Sequence, residues 1–348
     1  MKPIFKNTLV SFLSGRTCEY VGRMLYGYGV PIFMLHRMRD GNTANQLKSA
    51  ISAEHLRKCL NYLSNKKYIF LSLHELILLL KNKQSPPKKS VVFTMDDGFE
   101  DQLAIATPIF QEFNCPVTIF LITGMLDNKL WPWDDKVSHL INASTCEYIE
   151  VSIGDVNYHL PIQSEADKKR ARETIQNAIK VISVDDLDGA LTRLESATKI
   201  SIPEAPPPEC KPATWDLVRK HYNKGLVDFA PHTISHRILS KMDTETMKSE
   251  ILGSWQRISE ELSAPPRIFC YPTGRYIDFG SREVKLLRES GFVGAVSTIP
   301  AQVREELVND YYIYSLPRYP LPKSFNDFQM YCNWVELSKE RHLRYWPQ

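Results

Sequence analysis

The nine residues 91–99, Val-Val-Phe-Thr-Met-Asp-Asp-Gly-Phe, constrain the fold of this chain more than any other stretch. Their apolar, β-branched start predicts a buried strand that ends at two adjacent carboxylates, Asp96 and Asp97. In a parallel sheet, the loops at the carboxyl ends of the strands converge over one crevice. Adjacent side chains on a strand point in different directions, so the two carboxylates could take different roles. A plain strand followed by an Asp-Gly turn has the same pattern, and the rest of the chain must decide.

Strand patterns alternate with helix patterns on both sides of this stretch. Short apolar runs predict further strands at 29–36, 117–122, 227–230, 267–271, 293–297 and 311–316. Helical spacing of apolar residues occurs at 53–65, 73–81, 101–113, 245–262 and 282–290. This order predicts a parallel sheet of about seven strands with crossover helices. Apolar residues make up 43% of the 348 and charged residues 24%, so a large core can form.

The alternation breaks between residues 125 and 212. This part holds Trp131-Pro-Trp-Asp-Asp, a short alternating patch, a charged helix over 165–182 and a proline-rich run at 202–212. It is predicted to be an insertion or cap. The domain prediction is an amphipathic extension (1–28), a barrel in two parts (29–124 and 213–322) separated by the insertion (125–212), and a C-terminal tail (323–348).

A histidine pair, His232 and His236, follows the strand predicted at 227–230. Two imidazoles four residues apart can converge on one ion where the chain turns, and a carboxylate would complete a three-ligand catalytic site. Taken alone, such a pair is more often structural. Here it follows a strand, as Asp96 and Asp97 do, so both motifs are expected at the same rim.

Together these residues resemble the polysaccharide deacetylase family, the NodB-homology carbohydrate esterases. Thr-Met-Asp-Asp-Gly at 94–98 matches the family's Thr-Phe-Asp-Asp-Gly, and His-Thr-Ile-Ser-His at 232–236 matches its His-Ser/Thr-x-x-His. Phe-Cys-Tyr-Pro-Thr-Gly at 269–274 is similar to its Phe-x-Tyr-Pro-Tyr-Gly turn. The resemblance covers about 30–124 and 212–320. It implies an α/β fold, an irregular (β/α)7 NodB-type barrel, here with a partly helical insertion.

The resemblance also implies roles for individual residues. Asp97, His232 and His236 would hold a divalent metal, usually Zn²⁺, with Co²⁺ or Ni²⁺ as substitutes. Asp96 would be the general base that takes a proton from water activated by the metal, since bound zinc lowers the pKa of water to about 7. The residues expected to bind the oxyanion or contact the substrate are the backbone N–H of Thr273, then Gly274 and Tyr271.

The chain departs from the family at two places. Cys270 stands where some members have an arginine, so Arg267, Arg318 or Arg275 would have to pair with Asp96. The family's Leu-x-His motif is also missing. The best replacement for its acid is His36, because residues 33–37 resemble a Tyr-His-Arg strand of the poly-β-1,6-N-acetylglucosamine deacetylase branch. His36 could instead be hydrogen-bonded inside the barrel.

These features favour a metal-dependent N-deacetylase that acts on an N-acetylated amino sugar of a polysaccharide or glycolipid precursor, as in cell-envelope biosynthesis. One alternative is an amidohydrolase for a small non-sugar amide, and another is a barrel that binds glycan without turnover. Trp131 and Trp133 could stack on sugar rings or fix the insertion to the barrel, and the sequence leaves both open.

Charge and cysteine usage bear on partners and location. The net charge of +3 is spread along the chain, which argues against nucleic-acid binding. Seven scattered cysteines without a Cys-x-x-Cys favour reduced thiols and a cytoplasmic location. Residues 1–28 mix basic and apolar side chains, so this extension could rest on the inner face of a membrane or pack on its own domain.

Overall fold

A computed structural model describes residues 16–40, 50–222 and 225–340. Residues 1–15 of the predicted extension and 341–348 of the predicted tail lie outside the described residues. The strands are β1 (Ile32–Leu35), β2 (Met38–Arg39), β3 (Ile51–Ser52), β4 (Ile69–Phe70), β5 (Ser90–Met95), β6 (Val117–Leu121), β7 (Tyr148–Ile153), β8 (Val156–Pro161), β9 (Val227–Pro231), β10 (Ile268–Cys270), β11 (Gly294–Val296) and β12 (Tyr319–Pro320).

The α-helices surround the parallel strands or belong to the insertion. They are α1 (Arg16–Tyr26), α2 (Ala53–Asn65), α3 (Leu73–Lys81), α4 (Thr107–Glu112), α5 (Thr123–Leu126), α6 (Trp133–Ala143), α7 (Glu165–Ile179), α8 (Leu187–Thr198), α9 (Trp215–Tyr222), α10 (Thr244–Glu261), α11 (Ser281–Glu289), α12 (Phe325–Tyr331) and α13 (Trp334–Glu340). A π-helical turn at Gln102–Ala106 leads into α4. Short 3-10 turns lie at Pro208–Cys210, Leu239–Lys241, Glu305–Leu307 and Tyr312–Tyr314.

Eight strands in two parallel sheets form an irregular barrel. The main sheet has the order β12-β1-β5-β6-β9, with β4 also pairing with β5. A second sheet pairs β10 with β11. A parallel bridge from Val296 to Leu316 continues it, and the amide of Tyr271 donates to Val296. Because every strand pair in these two sheets is parallel, the loops that follow the carboxyl ends of β1, β5, β9 and β10 meet at one rim.

Alternate residues of the central strands enter two different cores. Phe33, Phe93 and Ile119 pack with α2 and α4, whereas Val92 and Phe120 join the core that includes β10, β11 and α10. Side chains of successive strand residues point to opposite faces, so a strand covered on both faces needs a continuous apolar run. The run at 91–95 has this character.

The prediction of a strand at 311–316 is wrong. The segment forms a 3-10 turn at Tyr312–Tyr314, and the last strand is β12, three residues beyond the predicted end. The side chain of Asn309 accepts hydrogen bonds from the amides of Tyr311 and Tyr312. An Asn side chain that accepts hydrogen bonds from the amides two and three residues later favours a turn over a strand. The alternating aromatic residues in this segment have the periodicity of a strand, so the pattern of side chains does not reveal the turn.

The insertion has a hydrophobic core of its own. Helices α6, α7 and α8 pack with the antiparallel β7–β8 hairpin around buried residues such as Leu140, Ile149 and Ile175. The chain returns to the barrel at residues 212–213, where Pro212 bridges to Phe99 and the amide of Ala213 donates to Gly98. The insertion therefore starts and ends beside the strand that carries the Asp-Asp-Gly motif. Within the described ranges, no helix has the length and apolar character needed to cross a bilayer.

Candidate active site

Asp97, His232 and His236 come together at the carboxyl rim of the barrel. Asp97 Oδ1 lies 3.6 Å from His232 Nε2 and 3.6 Å from His236 Nε2. One ligand atom from each of the three buried residues lies within 4.8 Å of the other two. The sequence separates Asp97 from the histidines by more than 130 residues, and the parallel sheet is what brings them together.

The three side chains fit a divalent cation. Asp97 Oδ1 is buried and has no hydrogen-bond partner among the described residues, although two imidazole nitrogens face it. A zinc ion with bonds of about 2.0–2.1 Å in tetrahedral geometry holds neighbouring ligand atoms about 3.4 Å apart, close to the spacing observed. Two nitrogens and one carboxylate form a typical catalytic zinc donor set that leaves positions for water and substrate.

His232 is oriented by a hydrogen bond through its other ring nitrogen, and the corresponding nitrogen of His236 faces a carboxylate. His232 Nδ1 donates to the carbonyl of Cys270 at 2.8 Å, which directs Nε2 at the cation position. Burial lowers the pKa of His232 to about 3, so the imidazole is neutral, as a metal ligand must be. His236 Nδ1 lies 3.6 Å from Asp134 Oδ1. Burial lowers the pKa of His236, but Asp134 and Asp97 outweigh it and raise that pKa to about 9.

Left-handed backbone is concentrated at this rim. Asp97, Thr233, His236 and Thr273 all have positive φ, between 56° and 85°. Such conformations cost about 1–3 kcal/mol each and persist only where surrounding contacts hold them. One such contact is Glu250, whose carboxylate accepts hydrogen bonds from the amides of Ile234 and Ser235 in the turn between the histidines.

Asp96 and Arg318 form a fully buried ion pair beside the three ligands. Arg318 Nη1 donates to Asp96 Oδ1 at 2.7 Å and Nη2 donates to Oδ2 at 2.8 Å. Burial by itself would raise the pKa of Asp96, but the charge of Arg318 outweighs burial and holds that pKa well below its usual range. His36 Nε2 lies 3.7 Å from Asp96 Oδ2, and its side chain is 45% exposed. His36 is therefore at the open side of the site.

Cys270 occupies the space next to the ion pair. Its Sγ lies 3.1 Å from Arg318 Nη2 and 3.6 Å from Asp96 Oδ2. Asp96, His232 and Cys270 thus form a second cluster with ligand atoms within 4.8 Å. Burial raises the pKa of the Cys270 thiol well above its usual value, so the sulfur stays protonated and is a poor metal ligand.

Two of the arginines suggested as partners of Asp96 are elsewhere. The guanidinium of Arg267 stacks over Trp255, 5.0 Å from its ring centroid, and over Phe292. The prediction that Arg267 acts at the site is therefore wrong, because packing on aromatic rings holds it away from Asp96. Arg275 pairs with Asp278. Arg318 reaches Asp96 from the residue just before β12.

The turn at 271–274 has one group suited to an oxyanion. The amide of Thr273 donates to no acceptor in the described part of the chain. Tyr271 is 1% exposed, its hydroxyl donates to the carbonyl of Tyr314, and its ring stacks on Phe279, so its predicted contact with substrate is wrong. At Gly274, φ is +63° and an added Cβ would lie 2.9 Å from the amide nitrogen of Thr298. The close approach that needs this glycine is to Thr298.

Trp133 links the insertion to the barrel, whereas Trp131 packs within the insertion, against His139. Trp131 is 3% and Trp133 5% exposed, so neither offers a ring face to a sugar, and their predicted role as a sugar platform is wrong. Trp133 Nε1 donates to the carbonyl of His236, and Trp131 Nε1 donates to Pro203. The alternative interpretation of the sequence, that the tryptophans fix the insertion to the barrel, matches the packing of Trp133.

Two residues with a bearing on the site were missed by the sequence reasoning. One oxygen of Asp134 faces His236, and Glu250 holds the turn between the two histidines. Asp134 lies about 100 residues before His236, and Glu250 comes from the helix that follows the histidine turn. The only signal in the sequence was Asp134 itself, next to Trp133 at the start of a helix.

Comparisons with known proteins agree with this geometry. Residues 193–292 match the family model described as polysaccharide deacetylase. YxkH of Bacillus subtilis strain 168, which is named after the same family, is 23% identical over 154 residues, or 42% of this chain. The aligned part spans about half of that relative, 52% of its length.

Solved structures extend the likeness to the fold. The Streptococcus pyogenes deacetylase PplD superposes with a TM-score of 0.56 at 16% identity, covering 87% of this chain and 96% of PplD. IcaB from Ammonifex degensii gives 0.55 at 15% identity, covering 89% of this chain and 98% of IcaB. At such identities the likeness establishes the fold, and the predicted NodB-type barrel is confirmed.

Proposed function

We propose that this chain is a member of the polysaccharide deacetylase family and a metal-dependent N-deacetylase of N-acetylated amino sugars. The observation that carries the proposal is the unpartnered Asp97 Oδ1 facing two imidazole nitrogens, with a buried Asp96–Arg318 pair beside it. A pure binding protein has no need for a buried carboxylate next to an ion site.

Asp97, His232 and His236 would hold the cation, with Zn²⁺ as the expected metal and Co²⁺ or Ni²⁺ as substitutes. A bound divalent cation supplies Lewis acidity, which activates water and polarises an amide carbonyl. The other steps fall to the chain's own residues. Asp96, ionised beside Arg318, accepts the proton of the attacking water. The Thr273 amide would donate to the developing oxyanion.

His36 is the proposed general acid. It is half exposed and 3.7 Å from Asp96, so it lies where substrate enters and close to the carboxylate that takes the first proton. The carbonyl carbon gains a bond to the water oxygen, the C–N bond breaks, and His36 gives its proton to the leaving amine nitrogen. Acetate and a free amino sugar are the products. PplD was solved in complex with acetate, which is the acid product expected here.

We also propose a cytoplasmic setting and a substrate in a polysaccharide or a glycolipid precursor of the cell envelope. The unpaired cysteines support a reducing compartment: the described residues include seven free cysteines, five of them buried. The substrate class is supported by the family and by the half-exposed His36.

The test measures bound metal and acetate release from N-acetylglucosamine oligomers and from a lipid-linked N-acetylated sugar. Asp96→Asn should keep the metal and lose about 10²–10⁴-fold in kcat, whereas His232→Ala should lose both. His36→Ala should keep the metal and lose rate on sugars, but much less on an acetylated nitroaniline, whose leaving group needs no proton. His159→Ala, an exposed histidine in the insertion, is the matched control.

Two results would contradict the proposal. Metal-loaded protein that releases no acetate from either sugar but hydrolyses small amides would make it an amidohydrolase. Full activity of His36→Ala on sugars would remove His36 as the acid while leaving the metal site intact.

A further inference from the structure

Helix α1 exposes an apolar stripe. Tyr20, Val21, Met24 and Leu25 follow one another at helical spacing, and Tyr28 lies two residues beyond the end of the helix. These five side chains are exposed by 68%, 49%, 72%, 62% and 39% in that order. We call these five residues the α1 stripe. Single exposed apolar residues are ordinary, but a contiguous patch of large ones marks an interaction surface.

The stripe is exposed because the opposite face of α1 makes the contacts with the protein. Tyr26 stacks on Trp334 of α13 with ring centroids 5.6 Å apart, and Gly22 packs against the same indole. Arg23 is buried and donates to the carbonyl of Cys332 at 2.8 Å. The helix is therefore fixed through Gly22, Arg23 and Tyr26, and the α1 stripe stays exposed.

A cluster of lysines lies next to the stripe. Lys66 and Lys67 precede β4, Lys88 and Lys89 precede β5, and these two strands are paired. Lys88 Nζ lies 5.5 Å from the ring centroid of Tyr28, and Lys89 Nζ donates to the carbonyl of Lys66. No carboxylate in the described ranges pairs with these four lysines, which we call the lysine cluster.

The stripe and the cluster share one edge of the molecule. Tyr28 precedes β1, which runs parallel to β5, so all of these residues lie at the amino ends of the barrel strands. The metal-ligand candidates follow the carboxyl ends. An apolar helix face can insert at the boundary between head groups and acyl chains, and neighbouring cations attract anionic head groups. Together these two features favour peripheral membrane binding.

We propose that the α1 stripe and the lysine cluster dock the protein on an anionic lipid bilayer. This inference is independent of the chemistry at the rim. Docking through the amino edge turns the metal-ligand candidates away from the bilayer.

The experiment is cosedimentation of the full chain with vesicles of phosphatidylcholine, with and without phosphatidylglycerol. Wild type should bind the anionic vesicles, and added salt should weaken binding. Met24→Asp with Leu25→Asp should weaken binding at least about tenfold. Lys67→Ser with Lys88→Ser should weaken it about fivefold for each lysine. Val181→Asp, which replaces a residue 61% exposed in the insertion, is the matched control and should bind normally.

The unfolding midpoint and the sedimentation coefficient of each variant are measured alongside. Wild type that ignores anionic vesicles, or α1 stripe variants that bind as wild type does, would overturn the proposal. So would α1 stripe variants that convert a dimer to a monomer without changing vesicle binding, since the stripe would then join two copies of the chain.

Discussion

At the scale of the residue, Arg318 is the group that keeps Asp96 ionised in a buried site. It is fully buried and makes a two-pronged ion pair with Asp96, while its Nε donates to Ser297. The small thiol of Cys270 leaves the room that this guanidinium occupies. The planar fork of arginine matches both carboxylate oxygens at once, which a lysine cannot do.

Arg318→Ala should lower the free energy of unfolding by about 3–5 kcal/mol, because Asp96 stays buried without its partner. Arg267→Ala, the matched arginine, should lose only about 1 kcal/mol of stacking on Trp255 and Phe292. Urea unfolding of both variants measures the difference. Equal losses would mean that the ion pair is not what stabilises this part of the barrel.

Asp134 should strengthen metal binding through His236, because its carboxylate faces the ring nitrogen that points away from the cation position. A carboxylate facing the far nitrogen of a metal-binding imidazole fixes the ring and raises its basicity, and its loss costs about 10–100-fold in metal affinity. Asp134→Asn is expected to weaken Zn²⁺ binding by that factor without changing the fold. Competition with a chromophoric chelator measures it. Asp188→Asn, an exposed carboxylate in the same insertion, is the control, and equal affinities for the two variants would refute the role.

At the scale of the element, sequence patterns predicted best where burial and periodicity agree. The apolar run of β5 predicts a strand, and the spacing of apolar residues in α2 and α3 predicts helices, as the structure has them. The strand predicted at 311–316 is not formed because the side chain of Asn309 stabilises a turn there. The strand β12 was not predicted because it has only two residues, too few to show a pattern. At the rim, Asp96, Asp97 and the histidines follow from motifs, whereas Glu250 depends on a helix packing across the turn.

Glu250 anchors that turn from α10. Its carboxylate accepts from the amides of Ile234 and Ser235, at 2.8 and 2.9 Å, and from the Ser235 hydroxyl. Glu250→Gln removes the charge from these bonds and should cost about 1–3 kcal/mol of unfolding free energy. It should also weaken metal binding, because His236 keeps its positive φ only while the turn is held. Glu260→Gln, exposed on the same helix, is the control, and stability equal to that variant would contradict the anchor.

At the scale of the whole molecule, the barrel and the insertion have separate hydrophobic cores joined at the candidate metal site. Trp133 Nε1 donates to the carbonyl of His236, and Asp134 faces the ring of the same residue. Both belong to the first turn of α6. The β7–β8 hairpin packs in the insertion core, and in the described part of the chain no hydrogen bond or ion pair joins it to the three candidate ligands.

Metal binding should therefore stabilise one part of the insertion and not another. A cation at about 100 times its Kd adds about 2.7 kcal/mol to the bound state. Amide hydrogen exchange should slow in the 232–236 turn and in the first turn of α6 when Zn²⁺ is added to chelator-treated protein. Amides of the β7–β8 hairpin should exchange at unchanged rates, and His232→Ala should show no slowing anywhere. Equal protection of hairpin and α6 would mean that the insertion responds as one rigid unit and that Trp133 and Asp134 are not its particular link to the site.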